Sequence, residues 1–405
     1  MKIYPPIEMN GFKLPVIIEK DSEYVDRLGK ELDRYKDFVA KFAEEKNSCY
    51  PKLKDVSENV MDNVQILKDA LRSYFSGRIQ EAHSLVRSYI EKYNDVMFNA
   101  VIDENYAFRG TSVPSLRPSV YAGDEYYVKE YERMMKWPLS FFKARVNGDF
   151  LERKDMLHIP FNKREIVSNQ RFSVTGLPCL YLSSTTWGSW IEMGEPDQNK
   201  FQVSALKIPG NLKVLNLCVQ QYLIGGMSSF ITEQEAYDRV LLLVEFMPLV
   251  IASSFKLKDK NERMFKSEYV IPQIIMQVCR ELDIDGVAYL SRRTDDMIAY
   301  PYAVNLALLM TGESKGKYWF RANEVELTEP VRFSEFMMLP ENERNISGHD
   351  EYKSFVNEFY AKGRGGGHGM IYLAHKRIPY VDTCFSAFDE YLLNREFRKF
   401  KEPKE

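Results

Sequence analysis

Between Asp21 and Phe98 the apolar residues recur at helical spacing, and no fold can accept this chain without burying the stripes they make. The first run is Tyr24, Leu28, Leu32, Tyr35, Val39 and Phe42. The second is Val60, Val64, Leu67, Leu71, Tyr74 and Phe75, and the third is Ile79, Ala82, Val86, Tyr89, Ile90 and Tyr93. Pro51 and Ser76-Gly77 separate them, since proline cannot continue a helix and glycine readily ends one. The spacing predicts an N-terminal helical region over residues 1–100, each helix laying one face on a neighbour.

Past Phe98 the pattern turns mixed. Short β-rich runs at residues 201–208, 213–217, 287–291 and 304–310 alternate with helical stretches near 233–251 and 271–282. That alternation predicts an α+β core over residues 101–330. A C-terminal helical extension over 331–405 follows, with amphipathic signals at Tyr352–Tyr360 and Phe388–Phe397 and a charged tail from Lys399. Val240 to Val244 is an unbroken apolar run, but Asp238, Arg239 and Glu245 bracket it, so it reads as a core helix and no membrane partner is expected.

With 405 residues and 45% hydrophobic content the chain can bury a sizeable core. Its net charge of -3 provides no chain-wide basic field, which argues against nucleic acid as a partner. The start, Met1-Lys2-Ile3-Tyr4-Pro5-Pro6, lacks a signal-peptide core, and a cytoplasmic location is expected. Five scattered cysteines without CxxC spacing read as reduced packing residues, with no zinc site. His158, between apolar neighbours, reads as a buried, hydrogen-bonded side chain, and Gly363–Gly369 as a flexible loop, since no Lys-Ser/Thr pair follows it. HExxH and GxGxxG are both missing from the sequence, which argues against a metalloprotease and a Rossmann dehydrogenase.

The chemistry concentrates in Arg171-Phe172-Ser173-Val174-Thr175-Gly176-Leu177-Pro178-Cys179-Leu180-Tyr181-Leu182 and its continuation to Trp190-Ile191-Glu192. A Gly-Leu-Pro turn feeds a short strand that holds Tyr181, and the Ser/Thr run 183–186 caps a segment that delivers Glu192. An arginine, an aromatic ring and a carboxylate are thereby predicted to converge on one cleft.

This cassette resembles the RES domain, a family named for an arginine, a glutamate and a serine. The similarity extends upstream to Met156-Leu157-His158-Ile159-Pro160-Phe161-Asn162-Lys163-Arg164. Downstream it takes in Tyr269-Val270-Ile271-Pro272-Gln273 and Asp285-Gly286-Val287-Ala288-Tyr289-Leu290-Ser291, so that it covers roughly residues 105–310. The resemblance implies an ADP-ribosyltransferase-like mixed β core and NAD as substrate, with no cofactor. It implies cleavage of the nicotinamide–ribose bond with water or phosphate as acceptor, by a bacterial toxin or anti-phage effector under the control of an antitoxin or regulatory protein, with a homo-oligomer a further expectation.

In that reading Glu192 stabilises the oxocarbenium ion and Tyr181 packs on nicotinamide, while Arg171, Ser291 and the family arginine hold the diphosphate and ribose. Two positions compete for that arginine, Arg109 and Arg145, and Lys143 stands where an arginine often does. The residue types suit the task. Guanidinium forks bind phosphate without deprotonating, and a carboxylate stabilises positive charge developing at an anomeric carbon. ADP-ribosylation of a macromolecule and a non-catalytic partner-binding module remain the alternatives.

Overall fold

A computed structural model describes residues 4–93, 99–101, 140–228, 234–258, 263–312, 317–344 and 370–402. The three amphipathic runs form α1 (Tyr24–Lys46), α2 (Leu53–Phe75) and α3 (Ile79–Lys92), broken where Pro51 and Ser76-Gly77 predict. The remaining helices are α4 (Thr186–Glu192), α5 (Gln221–Ser228), α6 (Gln234–Ala252), α7 (Val270–Glu281), α8 (Asp296–Tyr302), α9 (Phe333–Met338) and α10 (Cys384–Leu393), with a single turn at Glu341–Arg344.

The first three helices need a partner for their apolar stripes, and α6 supplies most of it. Pro248 lies inside α6 and has no N–H, so the carbonyl four residues earlier, on Val244, loses its helical donor. The Tyr35 hydroxyl from α1 donates to that oxygen at 2.8 Å. On the next carbonyl, of Glu245, Asn63 Nδ2 donates at 2.9 Å and the Tyr89 hydroxyl at 3.0 Å. The proline thus frees one acceptor that α1 satisfies, and the donors from Asn63 and Tyr89 on the adjacent carbonyl tie the other two helices to α6 as well.

The strands are β1 (Val16–Ile18), β2 (Asn99–Val101), β3 (Phe141–Val146), β4 (Cys179–Ser183), β5 (Phe201–Lys207), β6 (Lys213–Leu217), β7 (Phe255–Leu257), β8 (Gly286–Leu290), β9 (Val304–Leu309), β10 (Glu326–Leu327), β11 (Val331–Arg332), β12 (Met370–Leu373), β13 (Lys376–Pro379) and β14 (Arg398–Lys399). Ten of them make one mixed sheet in the order β14-β10-β5-β3-β4-β9-β8-β6-β2, with β11 also on β5. All neighbours are antiparallel except β6 and β8. The α+β class therefore holds, and the helical N-terminal region with it. β1 and β7 form a separate parallel pair, and β12 and β13 a hairpin.

Side chains alternate across each strand, so the sheet buries a core on both faces. Val287 and Tyr289 join the N-terminal helices, α6 and α7 on one face. Ala288 and Leu290 join α4, α9 and α10 on the other, where Phe385, Phe388 and Leu392 pack with Phe333 and Phe336. The helix expected from Phe388 to Phe397 begins earlier and stops at Leu393, and Arg398–Lys399 at the start of the charged tail pair with β10. Tyr352–Tyr360 and Gly363–Gly369 lie outside the described residues. Among the described residues no helix is long and apolar enough to cross a membrane. The cysteines are free, but Cys49 is exposed and so is not the packing residue expected; Cys218 and Cys279 are.

Candidate active site

The floor of the site follows from strand register. Ser183, Asn305 and Tyr289 are directly opposed across β4, β9 and β8, and Tyr181, Ala307 and Val287 form the next row on the same face. Ala307 and Val287 are fully buried in the core, whereas Tyr181, Ser183, Tyr289 and Asn305 line a cleft of about 1250 Å³ that also holds eleven Lys and Arg residues against Asp155, Glu192 and Glu268. A chain of net charge -3 has gathered a strongly cationic wall in one place.

Glu192 enters from α4. Thr185 caps that helix, its hydroxyl accepting from Gly188 N at 2.8 Å, and the Ser/Thr run stitches the entry to β9 and α8: the Ser184 hydroxyl donates to Pro301 O at 2.6 Å and Thr185 to Tyr302 O. A Cβ on Gly188 would lie 2.4 Å from Ser183 Oγ and 2.8 Å from Tyr302 O, so only glycine lets the helix cross the sheet this closely. The C-terminal part of the chain holds the same turn. Asp389 of α10 accepts from Thr186 N at 2.8 Å and from the Tyr380 hydroxyl at 2.6 Å. Burial pushes the Asp389 carboxyl up to about 7.

The half-buried Glu192 carboxylate receives two donors on one oxygen. Ser291 Oγ donates to Oε1 at 2.6 Å and Asn305 Nδ2 donates to the same oxygen at 2.7 Å. Oε2 takes no hydrogen bond from the described residues, which leaves it as the oxygen that can face a ligand. Ser291 in turn accepts from Arg293 N at 3.1 Å. Its proton is committed to Glu192, so it acts here as a positioning residue, which differs from the diphosphate contact that the resemblance implies.

Tyr181 lines the cleft, and its hydroxyl accepts from Phe172 N at 3.1 Å and donates to Ser173 Oγ at 3.2 Å. Burial drives this phenol well above its ordinary pKa, so it stays neutral. With both hydrogen bonds directed into the Arg171–Ser173 turn, the group left to contact a ligand is the ring.

The arginines differ in what they have left to offer. Arg145 gives its guanidinium to Asp155 O and, at 2.8 Å, to Leu157 O. Arg171 donates to Ser253 O at 3.3 Å and Phe255 O at 2.9 Å, with its cationic carbon 5.0 Å from the centre of the Tyr269 ring. Both line the cleft, braced by backbone carbonyls. Arg109 lies outside the described residues. Lys143 also lines the cleft, and its Nζ donates to Tyr181 O at 3.3 Å; burial pulls this amine down to about 7.

His158 is buried with Nδ1 2.7 Å from Ile159 O and Nε2 accepting from Trp319 N at 2.9 Å. These partners require the neutral Nδ1–H tautomer, and burial lowers its pKa to about 4. It anchors the backbone, as its apolar setting predicts. Asn305 and Arg292 are cleft residues that sequence reasoning missed. The one available signal for Asn305 is a lone amide in the apolar run Val304-Asn305-Leu306-Ala307-Leu308-Leu309. No group of three or more His, Cys, Asp or Glu able to hold a metal occurs among the described residues.

Comparison with known proteins finds a partial relative. The chain is 28% identical over 209 residues to the Bacillus subtilis (strain 168) protein named "Putative toxin YopC", a match covering 49% of this chain and 47% of that protein. The chain thus spans about half the length of the curated relative it matches. No family model matches, and no solved structure does.

Proposed function

We propose that the protein is a toxin that consumes NAD, cleaving the nicotinamide–ribose bond on an ADP-ribosyltransferase-like core of the RES kind. The observation that carries the reading is the Glu192 carboxylate, held through one oxygen by Ser291 and Asn305 in the cationic cleft that Tyr181 also lines. The toxin name of the Bacillus subtilis relative supports the biological half of the reading.

In this mechanism the bond from ribose C1′ to the pyridinium nitrogen breaks heterolytically. Its electron pair goes to the nitrogen, so nicotinamide leaves neutral, and the positive charge passes to C1′ and the ring oxygen. The free Oε2 of Glu192 stabilises that charge, an interaction stronger in the transition state than in the ground state. Tyr181 offers a ring face to nicotinamide, and the cationic wall holds the diphosphate. Water then adds at C1′ and releases one proton to give ADP-ribose; phosphate as acceptor gives the corresponding phosphate ester. An antitoxin or regulatory protein covers the cleft in the resting cell.

Nicotinamide release by the purified protein, with and without added phosphate, tests the reading. Release by the wild type that disappears in Glu192→Gln supports it, and equal turnover in the two removes the role of Glu192. Labelled ADP-ribose retained on protein or nucleic acid would instead establish a macromolecular acceptor.

A further inference from the structure

Arg292 follows Ser291 directly at the end of β8 and lines the cleft, yet it is only 4% exposed. Its Nε, Nη1 and Nη2 all lack a hydrogen-bond partner among the described residues. This sets it apart from Arg145 and Arg171, whose donors meet backbone carbonyls. A buried guanidinium with no partner is among the costliest groups a fold can hold, and Asp296, the acid that favours its charge, makes no hydrogen bond to it. Arg171 is near enough to act on it unfavourably: burial first, then the Arg171 charge, lowers Arg292 to about 9. Both cations line the cleft, and the more buried of them has no hydrogen-bond partner on any guanidinium nitrogen among the described residues.

We propose that Arg292 is a phosphate-binding residue and forms, with Arg171 beside it, a subsite for a phosphoryl group in the cleft. The planar fork of five N–H donors matches phosphate oxygens pairwise, and an anion seated there supplies the partners that the fold withholds. The hydroxyl of the preceding residue, Ser291, holds Glu192, so the same stretch of backbone sets both the anion subsite and the carboxylate. A phosphate of a dinucleotide and free inorganic phosphate share this chemistry. Choosing the dinucleotide rests on the NAD reading above, whereas the phosphoryl subsite itself does not.

The test uses the full-length protein with inorganic pyrophosphate, inorganic phosphate and NAD as probes, read by calorimetry and thermal melting. The wild type is expected to bind pyrophosphate and to melt higher in its presence. Arg292→Met, which fills the same space without a charge, should weaken that binding roughly 10- to 100-fold, the loss of a charge-assisted pair, while melting at least as high as the wild type without ligand. Arg292→Lys keeps the charge but not the fork, and is expected to melt like the wild type and bind pyrophosphate more weakly.

Phosphate that competes with NAD assigns the subsite to the dinucleotide, and phosphate that binds the NAD complex assigns it to the free anion; both support the proposal. Arg292-dependent pyrophosphate binding without any NAD binding keeps the subsite and defeats the NAD reading. Pyrophosphate affinity equal in wild type, Arg292→Met and Arg292→Lys overturns the subsite, and so does failure of the wild type to bind any of the three probes. Should Arg292→Met fail to fold, the lysine variant alone decides, by the same affinity comparison.

Discussion

Ser291 Oγ lies 2.6 Å from Glu192 Oε1 across a sequence separation of 99 residues, and Asn305 places a second donor on the same oxygen. Hydrogen bonds to a charged group contribute about 1.5–3 kcal/mol each, or roughly 10- to 100-fold in rate if they serve to hold the carboxylate for the transition state. Ser291→Ala and Asn305→Ala are therefore expected to lower kcat for nicotinamide release by about that factor with KM little changed, and Glu192→Gln to abolish it. Steady-state kinetics check this, and a rise in KM at constant kcat would show that these donors serve substrate binding instead.

Gly188 carries the close crossing of α4 over the sheet. An added methyl would meet Ser183 Oγ and the immovable carbonyl of Tyr302. Gly188→Ala is expected to destabilise the fold by about 1–3 kcal/mol through overpacking, and to reduce activity by shifting Glu192. Denaturant unfolding beside the activity assay checks both effects.

Asp389 makes stability depend on pH. Its folded pKa of about 7 lies above the ordinary carboxyl value of 3.8, so the folded state holds a proton that the unfolded state has lost in between. The contribution is fully present below about 4 and is lost as pH rises through 7. Asp389→Asn imitates the protonated acid, keeping an acceptor for Thr186 N and gaining a donor toward Tyr380. Melting temperatures measured from pH 5 to 8 should fall less steeply in this variant than in the wild type; parallel slopes would exclude the assignment.

Tyr35 satisfies the carbonyl that Pro248 leaves without a donor. Tyr35→Phe strands a buried acceptor, at a cost of about 1–3 kcal/mol. The double variant Tyr35→Phe with Pro248→Ala should recover part of that loss, because alanine restores a helical N–H for Val244 O. A double-mutant cycle in urea measures the coupling, and strict additivity would show that the two residues are independent.

The cluster around residue 192 was legible only in its parts. Glu192, Tyr181, Ser291, Arg145 and Arg171 can be picked out of the chain by residue type and by family likeness, and all five line the cleft or hold a residue that does. Asp389 was not legible, because an acid in an amphipathic helix looks like a solvated one until the contact with Thr186 is known. Arg292 was hidden by its neighbour Ser291, since nothing in a sequence tells a braced arginine from one without partners.

Periodicity alone determined the three N-terminal helices and the breaks between them, because helix-forming stripes and the backbone limits of proline and glycine act over a few residues. The α+β alternation was fixed in the same local way. Strand register was decided by the tertiary structure, since a shift of one position would turn every side chain of β9 to the opposite face and separate Asn305 from Glu192. The direction of Ser291 toward a carboxylate and the gathering of cations into one cleft belong to that level too, because they depend on distances between residues far apart in the chain.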